Sequence, residues 1–172
     1  MKVKILREAG YTEAMLGLSL SHNQLVDKMP GVAAKLAHRD GGHNKFLESM
    51  AVWLDVTGPR YWWAQFDTYR VGVTKQSEST MHTLMKRQLQ SSDFERAINL
   101  DILDVLHRRQ RMGEFRSLKN ELPEGFLQRR IICTNYKALR NIYSQRHDHK
   151  LHEWHFFCDA ILAQLEHGEF IK

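Results

Sequence analysis

The segment Arg60-Tyr61-Trp62-Trp63-Ala64-Gln65-Phe66-Asp67-Thr68-Tyr69-Arg70 constrains this chain more than any other. Aromatic side chains fall on most sides of it, so as a helix it must be largely buried. Gln65 and Arg70 are its polar exceptions, and polar groups taken out of water need partners. Immediately upstream, Met50-Ala51-Val52-Trp53-Leu54-Asp55-Val56-Thr57 is β-branched and aromatic and is bounded by Gly58-Pro59, which makes it the best strand in the sequence. Pro59 suits the first turn of the helix that follows.

Other elements arrange themselves around this pair. Residues 1–8 alternate charged and aliphatic side chains and predict a first strand, and Thr12 to Leu20 predicts a short helix with Thr12 as its cap. Pro30-Gly31 breaks the pattern, a helix is expected from Val32 to His38, and Arg39-Asp40-Gly41-Gly42 forms a loop that delivers His43. Val71 to Ser79 is polar and reads as a loop. Leu100, Ile102, Leu103, Leu106, Phe115 and Leu118 carry helical spacing through one long charged helix ended by Leu122-Pro123. Residues 126–134 read as a strand, and 135–146 and 151–166 as two closing helices. Separated strands and helices with no repeat or linker predict a single α+β domain over 1–172, a central antiparallel or mixed sheet flanked by helices.

Composition narrows the partners. Of 172 residues, 42% are hydrophobic and 26% charged, too apolar for a disordered chain, and only 3 Pro and 10 Gly exclude collagen-like or Pro-rich classes. The 25 Lys and Arg against 20 Asp and Glu leave a net charge of +5. The positive residues are scattered among acidic ones, so an anionic small ligand explains the balance as well as nucleic acid does. No hydrophobic stretch reaches the ~20 apolar residues of a membrane span. The N-terminus lacks the pattern of a signal peptide, and the expected location is the cytoplasm. Cys133 and Cys158 lie in apolar stretches and read as reduced core residues, not as activated nucleophiles.

Two phosphate-binding signatures are absent, the Gly-x-Gly-x-x-Gly turn and the Walker-type loop. His147, His149, His152 and His155 place two imidazoles on one face of the last helix, but their spacing matches no closed zinc pattern and fits a solvated helix start better. No metal is expected. The polar residues that look out of place are His43 and Glu48 ahead of the best strand, Gln65 and Arg70 in the aromatic segment, and Asn135, Asn141 and Arg146 along a later helix. The two asparagines are suited to reading a heteroaromatic ring, and Arg146 to a phosphate or a pyrimidine carbonyl; singly, each also reads as a cap or surface group.

From about His43 to about Ala163, these residues resemble the flavin-dependent thymidylate synthases. His43-x-x-x-x-Glu48 before a strand is similar to that family's His and Glu at the flavin, and Gln65 matches its nucleotide-site Gln by position. Asn135-Tyr136-Lys137-Ala138-Leu139-Arg140-Asn141-Ile142-Tyr143-Ser144-Gln145-Arg146 is similar to its Asn-x-Arg-x-x-x-x-Phe-x-x-x-Arg helix. Lys119 stands where the family has another nucleotide-binding arginine, and Trp154 where it writes Gln-Trp-Glu. The family's Arg-His-Arg has become Thr68-Tyr69-Arg70, and of its Ser-x-Arg-Tyr substrate loop only Ser77 or Ser79 matches. The short chain resembles compact, divergent members associated with phage genomes.

The resemblance implies an α+β homotetramer with FAD between subunits, moving a one-carbon unit from methylenetetrahydrofolate to C5 of dUMP with reducing equivalents from NADPH. It assigns His43, Glu48, Arg70, Asn135, Lys137 and Asn141 to the flavin. Gln65, Lys75, Ser79, Lys119 and Arg146 go to the nucleotide, with Arg146 and Ser79 at the chemistry and Lys75 compensating for lost arginines. The substrate is a pyrimidine nucleotide, with a 5-hydroxymethyl product as a variant. A non-catalytic descendant that binds nucleotide or protein is the alternative, and a nucleic-acid binder comes third.

Overall fold

The computed structural model describes residues 1–172. Strand β2 (Ala51–Pro59) follows the two-residue period of a half-covered sheet: Val52, Leu54 and Val56 are fully buried on one face, and Trp53, Asp55 and Thr57 are half-buried on the other. It pairs on one side with β1 (Lys2–Ala9) and along its whole length on the other with β4 (Leu127–Asn135). A short strand, β3 (Thr74–Ser77), adds to the outer edge of β4, so the sheet has the order β1-β2-β4-β3 with every neighbour antiparallel. The sheet is therefore antiparallel, not mixed. Gln164 covers the β1 edge by accepting from Ile5 N at 3.0 Å and donating to Val3 O at 3.2 Å.

Eight helices surround it: α1 (Tyr11–His22), α2 (Met29–Leu36), α3 (Arg60–Phe66), α4 (Thr80–Thr83), α5 (Leu100–Arg111), α6 (Phe115–Glu121), α7 (Tyr136–Arg146) and α8 (His152–Gln164). The aromatic segment is buried as its composition demands. Trp62, Trp63 and Phe66 are 0% exposed, and the Trp62 ring packs 4.9 Å from Trp154 and 5.4 Å from Phe157 on α8. Helix α3 stops at Phe66, earlier than expected, because the Thr68 hydroxyl donates to the Gln65 carbonyl at 2.8 Å and closes the turn. Pro59 is the residue flanking this helix and not part of its first turn.

Four other boundaries differ from the expected ones, each for a local reason. Thr12 does not cap α1; the flanking residue is Gly10, with no side-chain cap. Helix α2 begins at Met29 and takes Pro30 into its first turn, where the missing N–H would have had no intrahelical acceptor. The expected long helix divides at Gly113, whose φ of 72° only glycine adopts freely. Arg109 clamps the two halves, donating to Glu121 at 3.0 and 2.7 Å. The expected loop 71–79 holds β3, a strand too polar to announce itself because it lies on the sheet's edge.

Candidate functional site

Helix α7 organises the site, and its first residues explain how. Asn135 ends β4 and caps α7, its Oδ1 accepting the Ala138 N–H at 2.9 Å. The turn after α3 passes directly over this cap at Gly72, whose φ is +68° and where a Cβ would come within 2.8 Å of Asn135 Nδ2. Glycine alone lets the turn approach so closely. The result is a cleft of about 470 Å³ lined by Asp40, Glu48, Gly72, Asn135, Lys137, Arg140 and Asn141.

The groups in this cleft suit an anion that also carries hydrogen-bonding atoms. The N-terminus of α7 opens into it, with the positive end of the helix dipole. Arg140 Nε is buried without a partner, and its guanidinium lies 3.8 Å from Asp40, a loose pairing. Lys137 Nζ is held by Oδ1 of Asn44, a fully buried side chain whose Nδ2 donates to the Ala37 carbonyl at 3.1 Å. Asn141 is exposed, and its Oδ1 accepts from Gln145 Nε2 at 3.0 Å.

A second group lies where α3 and α7 end and α8 begins. Gln65 Oε1 accepts the Trp154 indole N–H at 2.8 Å and lies 3.5 Å from an Arg146 guanidinium nitrogen. Arg146 Nε donates to the Tyr69 hydroxyl at 2.7 Å, and the guanidinium stacks 4.9 Å from the Trp154 ring and 5.6 Å from that of Tyr69. The Tyr69 hydroxyl donates onward to Gln145 Oε1 at 3.0 Å. A continuous chain Arg146–Tyr69–Gln145–Asn141 therefore links this group to the α7 cleft. Beside it, burial and then the nearby Arg146 charge lower the His149 imidazole from its ordinary value.

The remaining expected site residues are dispersed. Lys75 lies on β3, not in a loop, and its ammonium pairs with Asp67 at 2.9 Å; Arg130 pairs with the same carboxylate at 2.9 Å. Burial alone would raise the Asp67 carboxyl, but the Lys75 and Arg130 hydrogen bonds outweigh it and hold that group below the usual carboxylate range. Lys75 is thus already partly neutralised. Ser79 flanks α4, and Lys119 comes to the same place, donating to the neighbouring Thr80 hydroxyl at 3.1 Å. His43 does not line the α7 cleft; it lines a groove formed chiefly by α1 and residues 42–49. Arg70 is exposed, two residues before Gly72; its carbonyl accepts from Val73 N at 3.4 Å and its side chain makes no hydrogen bond.

The structure thus brings Glu48, Asn135, Lys137 and Asn141 together, Gln65 with Arg146, and Ser79 with Lys119. It does not join His43 or Arg70 to any of these groups within one chain. Sequence reasoning missed Asn44, Arg140, Gln145 and Gly72, and treated Tyr69 only as a lost histidine. The Gly72 and Asn44 signals were present as a glycine in a polar turn and an asparagine beside His43. The four C-terminal histidines point different ways: His147 stacks on Tyr143, His149 meets Trp154 edge-on, and His152 faces His155 at 5.5 Å. Burial pushes the Cys158 thiol up to about 12, whereas Cys133 is half-buried on the open face of β4, less enclosed than expected.

No protein-family model matches the sequence, and no curated protein matches it. Solved structures do match. The flavin-dependent thymidylate synthase ThyX from Helicobacter pylori, complexed with FAD and dUMP, superposes with a TM-score of 0.84 at 15% identity, over 100% of this chain and 98% of that one. A second structure of Thymidylate Synthase X from Helicobacter pylori, also with FAD and dUMP, gives 0.84 at 16% identity over the same shares. The chain has the fold of these enzymes, in agreement with the α+β architecture expected from sequence.

Proposed function

We propose that this chain is a flavin-dependent enzyme that moves a one-carbon unit from methylenetetrahydrofolate to C5 of a pyrimidine nucleotide, converting dUMP to dTMP or to a variant such as a 5-hydroxymethyl product. One observation carries the reading: the hydrogen-bond chain from Arg146 through Tyr69 and Gln145 to Asn141, which ties the nucleotide-type group to the cofactor-type cleft. It stands in a fold shared along its whole length with an enzyme solved with FAD and dUMP.

The α7 cleft fits a flavin dinucleotide chemically. A helix N-terminus, the unpartnered Arg140 Nε and Lys137 suit phosphate, and Asn135, Asn141 and Glu48 offer donors and acceptors to a heteroaromatic ring. FAD, when bound, supplies the hydride chemistry, with NADPH as the source of electrons. The chain's own residues bind and orient. Arg146 sets fixed positive charge, and Gln65 an amide, against a pyrimidine whose oxygens gain negative charge during reaction. Ser79 and Lys119 take the far side of the nucleotide. No thiol is required, which agrees with a Cys158 that stays protonated at neutral pH.

In this reading the protein is a cytoplasmic homotetramer. Its cleft of about 470 Å³ lies, in this reading, at an interface between copies. The direct test incubates purified protein with FAD, NADPH, methylenetetrahydrofolate and dUMP and weighs the nucleotide by mass spectrometry. A product heavier by a methyl or hydroxymethyl group supports the reading; unchanged dUMP in a flavin-loaded protein contradicts it.

A second reading, a nucleotide-binding module without turnover, draws on Thr68. Where the resembled family carries an arginine, this hydroxyl is committed to the Gln65 carbonyl at 2.8 Å. It predicts nucleotide binding with no nucleotide-dependent oxidation of reduced flavin.

A further inference from the structure

A second cavity, of about 550 Å³, opens at the end of the sheet's open face and shares no lining residue with the α7 cleft. One wall is a row across three strands. Lys2 of β1, Thr57 of β2 and Arg129 of β4 stand opposite one another in register, so their side chains leave the same face about 5 Å apart. Lys2 is exposed and enters no ion pair, and the Thr57 hydroxyl makes no hydrogen bond. Arg129 spends Nε and one terminal nitrogen on Asp55, at 2.8 and 2.6 Å, and keeps the other terminal nitrogen free. The row presents an ammonium, a hydroxyl and a guanidinium nitrogen, all without partners.

The facing wall comes from residues 83–93, and α5 holds it from behind. Gln110 Nε2 donates to the Leu84 and Arg87 carbonyls at 2.6 and 2.8 Å, and its Oε1 accepts from Leu89 N at 3.1 Å. His107 Nε2 donates to the Leu89 carbonyl at 2.7 Å. With four backbone groups tied to one helix, this wall is in place before any ligand arrives. Lys86 on it enters no ion pair, whereas Arg87 is engaged by Asp93. The Met1 ammonium, also in the lining, is paired with Glu95. Glu78 is the carboxylate of this cavity that no cation pairs with, and half-buried Phe126 and Leu127 add an apolar patch.

We propose that this cavity binds a small phosphate ester carried on a flat ring, at a site separate from the α7 cleft and from the Gln65–Arg146 group. The phosphate oxygens accept from Lys2, Thr57 and Arg129 together, and Lys86 across the cavity offsets the remaining charge. Phe126 and Leu127 give the ring an apolar surface, and Glu78 accepts from a donor on the ring. A volume of about 550 Å³ suits a ligand of this size.

Pyridoxal 5′-phosphate is the probe, since it is a phosphate ester on a flat ring. Its aldehyde condenses with a lysine amine, releasing water, and borohydride reduces the imine to a stable secondary amine. The full chain is treated with a limiting amount of probe and then borohydride, and the labelled lysines are mapped by mass spectrometry. Label concentrates at Lys2 or Lys86 over Lys4, an exposed lysine of the same strand outside the cavity, and inorganic pyrophosphate suppresses it. Thr57→Val removes the hydroxyl, keeps both lysines and lowers probe affinity by about tenfold. Label spread evenly over exposed lysines, label at Lys137 of the α7 cleft instead, or an affinity unchanged in Thr57→Val overturns the proposal. A protein labelled at Lys2 or Lys86 that takes up no flavin upholds this site and overturns the flavin reading.

Discussion

The Tyr69 hydroxyl accepts from Arg146 Nε at 2.7 Å and donates to Gln145 at 3.0 Å, so one phenol both aims a guanidinium and joins it to the asparagine of a separate cleft. The resembled family writes histidine at this position. Here a phenol hydroxyl makes the link, accepting from one side and donating to the other. Tyr69→Phe removes only the hydroxyl, and a hydrogen bond to a charged donor contributes about 1.5 to 3 kcal/mol. Nucleotide affinity should fall by about tenfold or more while flavin uptake is unchanged, as read by titration of the flavin-loaded protein. Equal affinity would remove Tyr69 from the site.

Gly72 should tolerate nothing larger. Its φ of +68° strains any L side chain, and a Cβ would press on Asn135 Nδ2 at 2.8 Å, loosening the cap of α7. Gly72→Ala should cost about 1 to 3 kcal/mol, lower the melting temperature by several degrees and weaken flavin uptake. Thermal unfolding and flavin titration check both parts; a variant with normal uptake would separate the cap from the cleft.

Asn44 is fully buried between the Ala37 carbonyl and the Lys137 ammonium. Asn44→Ala leaves a buried carbonyl unpaired and frees Lys137, at a cost of about 1 to 3 kcal/mol in denaturant unfolding. Asn44→Asp should restore the Lys137 contact without the donor to Ala37, and so recover flavin uptake more than stability.

Asp67 gives the protein part of its acid sensitivity. Burial would raise its carboxyl, but Lys75 and Arg130 hold it below the ordinary value, so the folded state binds its proton less readily than the unfolded one. That contribution is full above about pH 4 and is lost as the pH falls through the lower, folded value. Asp67→Asn should be less stable than wild type at pH 7, with the gap narrowing below pH ~4. Melting temperatures across that range test the sign; a gap that widens on acidification would contradict it.

The fold was legible where side-chain pattern and environment agree. The β2 alternation and the aromatic bulk of residues 60–66 both declare burial, and both elements form close to where the sequence places them. Strand β3 was not legible, because an edge strand that pairs on one side and faces water on the other carries no apolar signature. Within the candidate site, the sequence marks Asn135, Asn141, Gln65 and Arg146 as polar residues out of place. It could not reveal that Lys75 is engaged by Asp67 or that Tyr69 bridges the two groups. Those facts depend on β3 and the end of α3 meeting β4 and α7 in space.

Titrating FAD into colourless or freshly purified protein, followed by reoxidation of the reduced flavin with and without dUMP, tests the central claim most directly. The account predicts stoichiometric flavin absorbance and a reoxidation rate that changes when dUMP is added. That response should be abolished in Arg146→Ala, which still binds flavin. Protein that takes up no flavin, or whose flavin ignores dUMP, would contradict it.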